Sequence, residues 1–216
     1  MNQNIGDLRD LAKEAGRHMK RVGWTQGAEK KRGKVSIIGA INHCETVPGD
    51  AQILHQVLHH RGRAEDWNDQ AGRTEEQVVG FLKRTVIDTD TLTEVFGPQY
   101  RQVLGIVRTI SAADEPDLYE LSKANGKIPS RLAAYDAAWD AAHSAARDAG
   151  RDQHADYAWN AAYNDRLPDA DDSALFAAAD AAAAVAVRDI IPTEHYRTLT
   201  HAWRAIFGGP HPSDKA

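Results

Sequence analysis

One cysteine, Cys44, is all the chain has, so no intrachain disulfide can form and a reducing compartment, the cytoplasm, is expected. Long apolar runs are missing too. The nearest approach, from Ala177 to Val187, contains Asp180 and ends at Arg188, well short of the ~18 consecutive apolar residues of a membrane span. Any membrane role would have to be peripheral. Asp7, Arg9 and Asp10 interrupt the opening segment, which therefore lacks the apolar stretch of a secretion signal. A glycine-rich phosphate loop, a Gly-x-Ser-x-Gly elbow and a dinucleotide fingerprint are absent from the sequence, which disfavours the common nucleotide-binding and hydrolase classes. β-Branched residues are scarce across the long alanine runs of the second half, which argues against strands there.

What is present is alanine, aromatic residues and unevenly placed charge. With 216 residues the chain can bury an apolar core as one large domain or two small ones. Residues 1–110 carry 16 Lys and Arg against 14 Asp and Glu, whereas residues 111–216 carry 10 against 17. The first half is thus the better candidate to meet an anion. Its basic cluster, Lys30, Lys31, Arg32 and Lys34, with Arg61 and Arg63 further on, is the candidate nucleic-acid contact. A pI near 6.0 disfavours that role, because nucleic-acid-binding domains are usually strongly basic, and a solvated loop accounts for the cluster more simply.

Hydrophobic spacing predicts helices throughout. Leu8, Leu11, Ala12, Ala15, Met19 and Val22 recur three and four apart and Gly23 follows as a C-cap. The run from Val35 to Ile41 suits a buried strand or a buried helix, and its small residues Ser36, Gly39 and Ala40 favour helix. After Pro48-Gly49, Ile53, Leu54, Val57 and Leu58 mark a further helix. Thr74 with Gln77 forms a capping-box pattern ahead of Val78, Val79 and Leu82. From Ser130 alanine pairs alternate with Asp136, Asp140 and Asp148 up to Gly150, the signature of one continuous helix. Two more alanine-rich segments and a last helix bearing Tyr196, Leu199, Trp203, Ile206 and Phe207 complete the pattern. The expected fold is all-α, with a small N-terminal helical domain (1–90), a helical connector (91–130), an alanine-rich bundle (131–209) and a polar tail (210–216).

The motifs Gly23-Trp24-Thr25-Gln26-Gly27, Ile38-Gly39-Ala40-Ile41, Trp67-Asn68-Asp69 and Arg73-Thr74 resemble a domain of unknown function common in actinobacteria and their phages, over about the first ninety residues. Relatives of that kind usually have a cysteine ahead of the Gly-Ala pair, where Val35 and Ser36 stand here, so no thiol chemistry carries over. The second half is similar to Ala/Asp/Trp-rich helical segments of actinobacteriophage proteins that end in a Leu-Thr…Trp pattern, here Leu199 to Trp203. The resemblance implies provenance and no activity.

Three constellations qualify as candidate sites. His55 and His59 lie four apart on one helix face, a spacing that zinc ligands use, but Gln56 follows where a metalloprotease has glutamate and no distant partner ligand is apparent, so no metal or cofactor is expected. Asp66, Asp69 and Arg73 around Trp67-Asn68, with Trp24 and Gln26, could form a polar cleft with acid, base and anion-holding roles. Asx-turn, capping and core-plug roles explain the same residues without a substrate. Tyr135, Trp139, His143 and Arg147 form a ridge along one helix edge, and with Tyr157, Trp159 and Trp203 they are either bundle core or a partner surface, since Trp, Tyr and Arg carry much interface energy. The leading expectation is a non-enzymatic interaction protein that binds a host or phage protein or forms a homodimer. An enzyme centred on Trp67-Asn68-Asp69/Arg73 and a nucleic-acid binder are the alternatives.

Overall fold

A computed structural model describes residues 5–26, 30–31, 33–62, 68–126, 132–163 and 171–210, and these divide into two compact units, Met1–Thr91 and Leu92–Ala216. The fold is all-α, with twelve helices among the described residues and one two-residue strand pair.

The N-terminal unit is organised by α1 (Ile5–Val22), whose stripe Leu8, Leu11, Ala12, Ala15 and Met19 is buried. It packs on α2 (Ile37–Cys44), α3 (Asp50–Gly62) and α4 (Glu75–Arg84). Gly23, at φ +89°, ends α1 by donating its N–H to the Met19 carbonyl (2.8 Å), the left-handed cap that a residue with a Cβ rarely adopts. The chain then enters an extended stretch in which Trp24 bridges Val35. Strands β1 (Lys30–Lys31) and β2 (Lys34–Val35) form a minimal antiparallel ribbon. The segment from Val35 to Ile41, readable as strand or helix, is therefore both. Val35 ends the ribbon and the helix begins at Ile37, because Ser36 takes extended backbone and its Oγ accepts the Gly39 N–H (3.1 Å). The capping box at the start of α4 has both of its hydrogen bonds, Gln77 N–H to Thr74 Oγ1 and Thr74 N–H to Gln77 Oε1.

The division between units falls within α5 (Thr89–Phe96). In the C-terminal unit, α6 (Tyr100–Ser111), α7 (Glu115–Gly126), α9 (Asp152–Ala162), α11 (Thr193–Leu199) and α12 (His201–Phe207) all pack on α10 (Asp172–Ala186). The stretch expected as a connector thus supplies α6 and α7 to the same packing. A helix contacted from so many directions must be apolar all round, and α10 meets that demand with alanine: Ala174, Ala177 to Ala179 and Ala181 to Ala184 are all buried. Methyl side chains let neighbouring backbones approach closely and lose no rotamer freedom on burial.

α8 (Leu132–Asp148) packs on α9 and α11. Gly150, at φ +66°, ends it in a Schellman arrangement, with Arg151 N–H on the Ala146 carbonyl (2.7 Å) and Gly150 N–H on that of Arg147 (3.0 Å). The last helix expected from the sequence is two, α11 and α12, divided at buried Thr200, whose hydroxyl donates back to the Tyr196 carbonyl (2.8 Å). A threonine that bonds the preceding turn competes with the helical ladder and bends it.

Gly97 shows how tight the C-terminal unit is. Its φ is +78°, and a Cβ placed there would lie 3.0 Å from the Ala186 carbonyl oxygen and 3.1 Å from His154 Nδ1. Gly97→Ala should lower unfolding free energy by about 2 kcal/mol, combining left-handed strain with backbone overlap, whereas Gly33→Ala, strained but facing open space, should lose only about 1 kcal/mol. Urea denaturation of the two variants checks the difference.

Candidate functional site

The alanine of α10 is interrupted once in its buried interior, by Asp180, which is 4% exposed. A carboxyl there exchanges water for methyl groups, which disfavours its charged form, and burial pushes Asp180 up to about 8. The Trp159 indole on α9 donates to its Oδ1 (3.1 Å). The other oxygen takes no hydrogen bond among the described residues.

Asp180 lies at a cleft of about 1040 Å³ whose surface is largely apolar and carries four large aromatic rings, Tyr135, Trp139, Trp159 and Phe176. Tyr135, Trp139 and His143 enter from α8, Ala155, Asp156, Trp159 and Asn160 from α9, and Asp172, Ser173 and Phe176 from α10, while Asn125 and Gly126 close the α7 end. Helical spacing places them. Tyr135, Trp139 and His143 are four apart and share the edge of α8 that faces the cleft, with the Trp139 and His143 rings stacked at 4.8 Å. Trp159 stacks on Tyr163 at 4.8 Å, and both rings tilt against Phe176 at 5.8 and 5.4 Å. Phe176 itself is 43% exposed, a costly position for so large an apolar ring.

Polar contacts fix the rim. Asp171 caps α10 by accepting the Ala174 N–H (2.9 Å) and also takes the Ser122 hydroxyl (2.6 Å). Asn125 donates to the carbonyl and hydroxyl of Ser173 (2.9 and 3.2 Å), so the end of α7 is tied to the first turn of α10. Outside the lining, Arg151 Nη1, ahead of α9, reaches both oxygens of Asp189 beyond the end of α10 (2.8 and 2.6 Å).

The ridge expected on α8 is thus part of this cleft through Tyr135, Trp139 and His143, whereas Arg147 is exposed and is not among the lining residues. Trp203, grouped with them on sequence, is buried and packs on Phe207 at 4.5 Å, because its helix faces α7 and α10. It is core and not surface. Asp180, Phe176, Asp156 and Asn160 were not singled out from the sequence. The available signal was a lone acidic residue within an alanine run too uniform to show which side is solvent.

The polar constellation of the N-terminal unit also assembles in part. Trp24 donates its indole N–H to Asn68 Oδ1 (2.7 Å) and its backbone N–H to Glu75 (3.2 Å). Gln26 Nε2 donates to the carbonyls of Asn68 and Gln70 (3.1 and 3.0 Å). Asn68, only 2% exposed, donates to Asp69 (2.7 Å), and Arg73 is bonded to Gln70. These groups satisfy one another and staple the turn after α3 to the end of α1. Asp66 and Trp67 lie outside the described residues.

Of the basic candidates, Arg61 donates to Thr91 Oγ1 (3.1 Å), exposed Lys34 lays its stem beside Gly23, Lys30 and Lys31 form β1, and Arg32 and Arg63 lie outside the described residues. His55 and His59 stay on α3, and no group of three or more His, Cys, Asp or Glu able to hold a metal ion occurs among the described residues. Burial, with Glu14 adding to it, pushes the Cys44 thiol above its ordinary range, which opposes nucleophilic use. No helix among the described residues is long and apolar enough to cross a membrane.

Residues 6–87 match a family of unknown function, DUF6197. That match covers the Trp24–Gln26–Asn68 staple and leaves the aromatic cleft outside it. No curated protein and no solved structure matches the chain.

Two outcomes follow from the geometry. Asp180 keeps its proton in the folded state to about pH 8 but ionises near pH 4 when unfolded, so the folded state binds the extra proton between those values and stability falls as pH rises through that window, by up to about 1.4 kcal/mol per pH unit. Asp180→Asn, which retains the Oδ1 acceptor for Trp159, should flatten that slope in denaturant titrations at pH 5, 6, 7 and 8. In the N-terminal unit, Trp24→Phe leaves the buried Asn68 oxygen without its donor and should cost about 1–3 kcal/mol, read from the shift in urea midpoint.

Proposed function

We propose that the chain is a non-enzymatic binding protein whose C-terminal unit takes a small organic molecule into the aromatic cleft over Asp180. The observation that carries the reading is the cleft itself. Its volume stands at the upper end of small-molecule sites, ~300–1,000 Å³, and its apolar walls enclose a few convergent polar atoms that can orient a ligand. Burying a carboxyl in an alanine helix is costly, and a ligand that uses it gives that cost a purpose. Among the described lining residues the one serine hydroxyl, that of Ser173, is engaged in joining α7 to α10, which favours recognition over nucleophilic chemistry. The resemblance of both halves to actinobacterial and phage proteins supports an accessory role in that setting, and the lone cysteine supports a cytoplasmic one.

A second reading, a protein partner or a second copy of the chain seated on the same face, is favoured by the exposure of Phe176 at the cleft. Sedimentation across a concentration series separates the two, since self-association predicts a mass that rises with concentration and falls for Phe176→Ser.

Indole is a suitable neutral probe, flat enough to slide between Trp139 and Phe176. It should bind with a Kd of about 0.1–1 mM, the affinity of a small ring at roughly 0.5 kcal/mol per heavy atom, and Trp139→Ala/Phe176→Ala should abolish binding in ligand-observed NMR without unfolding the bundle. Saturation unaffected by the double substitution would remove the cleft from consideration, and chemical conversion of a bound ligand would overturn the non-enzymatic assignment.

A further inference from the structure

We infer that the cleft selects an organic cation, a protonated amine carried on an aromatic-sized apolar body, with Asp180 as its counter-ion. This rests on the cleft being the binding site and specifies what enters it. The argument is charge complementarity. Among the described residues three carboxyl groups, Asp156, Asp172 and Asp180, line the cleft, and no lysine or arginine does. An anion entering here would meet the carboxylates of Asp156 and Asp172 with no lysine or arginine among the described lining residues to offset them. The aromatic walls favour the same sign, because the faces of Tyr135, Trp139, Trp159 and Phe176 carry the negative end of the ring quadrupole and attract a desolvated cation.

Placement separates the roles of the three carboxyls. Asp172 lies in the first turn of α10, is exposed and accepts from the Tyr163 hydroxyl (3.3 Å). Asp156 is exposed on α9. Both are solvated and supply a diffuse negative field, worth little for a single contact in water. Asp180 is nearly inaccessible to water, is held on one oxygen by Trp159, and has its second oxygen without a partner among the described residues. A neutral apolar guest offers that oxygen no hydrogen-bond partner. An ammonium group supplies the missing donors and the missing charge together, and hydrogen bonds between charged partners are the strong ones.

The protonation state couples to occupancy. In the empty cleft Asp180 carries its proton at neutral pH, because burial raises it to about 8. An ammonium beside it stabilises the carboxylate, so the acid proton passes to solvent as the cation enters and the guest keeps its own. Affinity for a cation should therefore climb with pH up to about 8, approaching tenfold per unit. Among the described residues the other titratable groups lining the cleft are Tyr135 and His143 on α8, Asp156 on α9 and Asp172 on α10. Of these, His143 serves as the control for the pH dependence.

Three probes with one ring and different charge decide the matter: tryptamine, indole and indole-3-acetate, titrated into the full chain by calorimetry at pH 6.5 and 8.5. The amine of tryptamine stays protonated across this range, as that of lysine does. The expected result is tryptamine at least tenfold tighter than indole at pH 8.5 and indole-3-acetate weaker than both. Asp180→Asn should reduce tryptamine to the level of indole, and His143→Gln should keep the pH slope. Should Asp180→Asn fail to fold, the unmodified chain still reports, because tryptamine at pH 6.5 should release close to one proton, seen as a heat that varies with the ionisation enthalpy of the buffer, and indole none. Indole binding as tightly as tryptamine, or tryptamine binding with no proton release, overturns the cation while leaving the cleft as a binding site. If none of the three binds, the cleft reading and the cation fall together.

Discussion

A carboxyl group buried in the middle of an alanine helix is the constraint around which the C-terminal unit is arranged. α10 is contacted by α6, α7, α9, α11 and α12, and such crowding excludes any side chain much larger than a methyl from most of its surface. Asp180 is admitted because Trp159 brings an indole N–H to one oxygen and because an opening lies beside the other. Trp159 in turn is set by its stacking on Tyr163 and its contact with Phe176. The aromatic walls, the opening and the acid are therefore one construction. Removing the acid would leave Asp156, Asn160, Asp172 and Ser173 as polar lining from α9 and α10, all of them nearer solvent than Asp180.

The N-terminal unit depends on a different device. Its polar residues are engaged with one another, Trp24 with Asn68 and Glu75, Gln26 with the turn at 68–70, so a cluster that reads as an acid–base site in sequence holds two chain segments together. The family match over residues 6–87 covers these groups.

Much of the architecture was legible because the local signals are strong. The stripe of α1 and its Gly23 cap, the Thr74–Gln77 box and the Gly150 stop each bind a chemical preference to one backbone position. The division of the last helix at Thr200 was not, since threonine is tolerated in helices and only its burial and back-bonding make it a break. On α8 the four-residue spacing identified three cleft residues, because period alone fixes which residues share an edge. It could not reveal that Trp203 is core, which depends on packing with α7 and α10. Asp180 was invisible for a related reason. Amphipathic pattern locates a polar residue by contrast between faces, and a helix of alanine offers none.

Alanine has no side-chain torsion with which to respond to a neighbour. The buried alanine face of α10 behind the cleft is for that reason mechanically stiff, and compliance lies with the side chains that line the opening, the largest of them the rings of Tyr135, Trp139, Trp159 and Phe176. A guest of the wrong size finds no adjustment in the alanine methyls behind those side chains. It must either turn a ring or shift a helix bodily, and because α10 touches five others, a shift large enough to matter would be felt across the whole C-terminal unit.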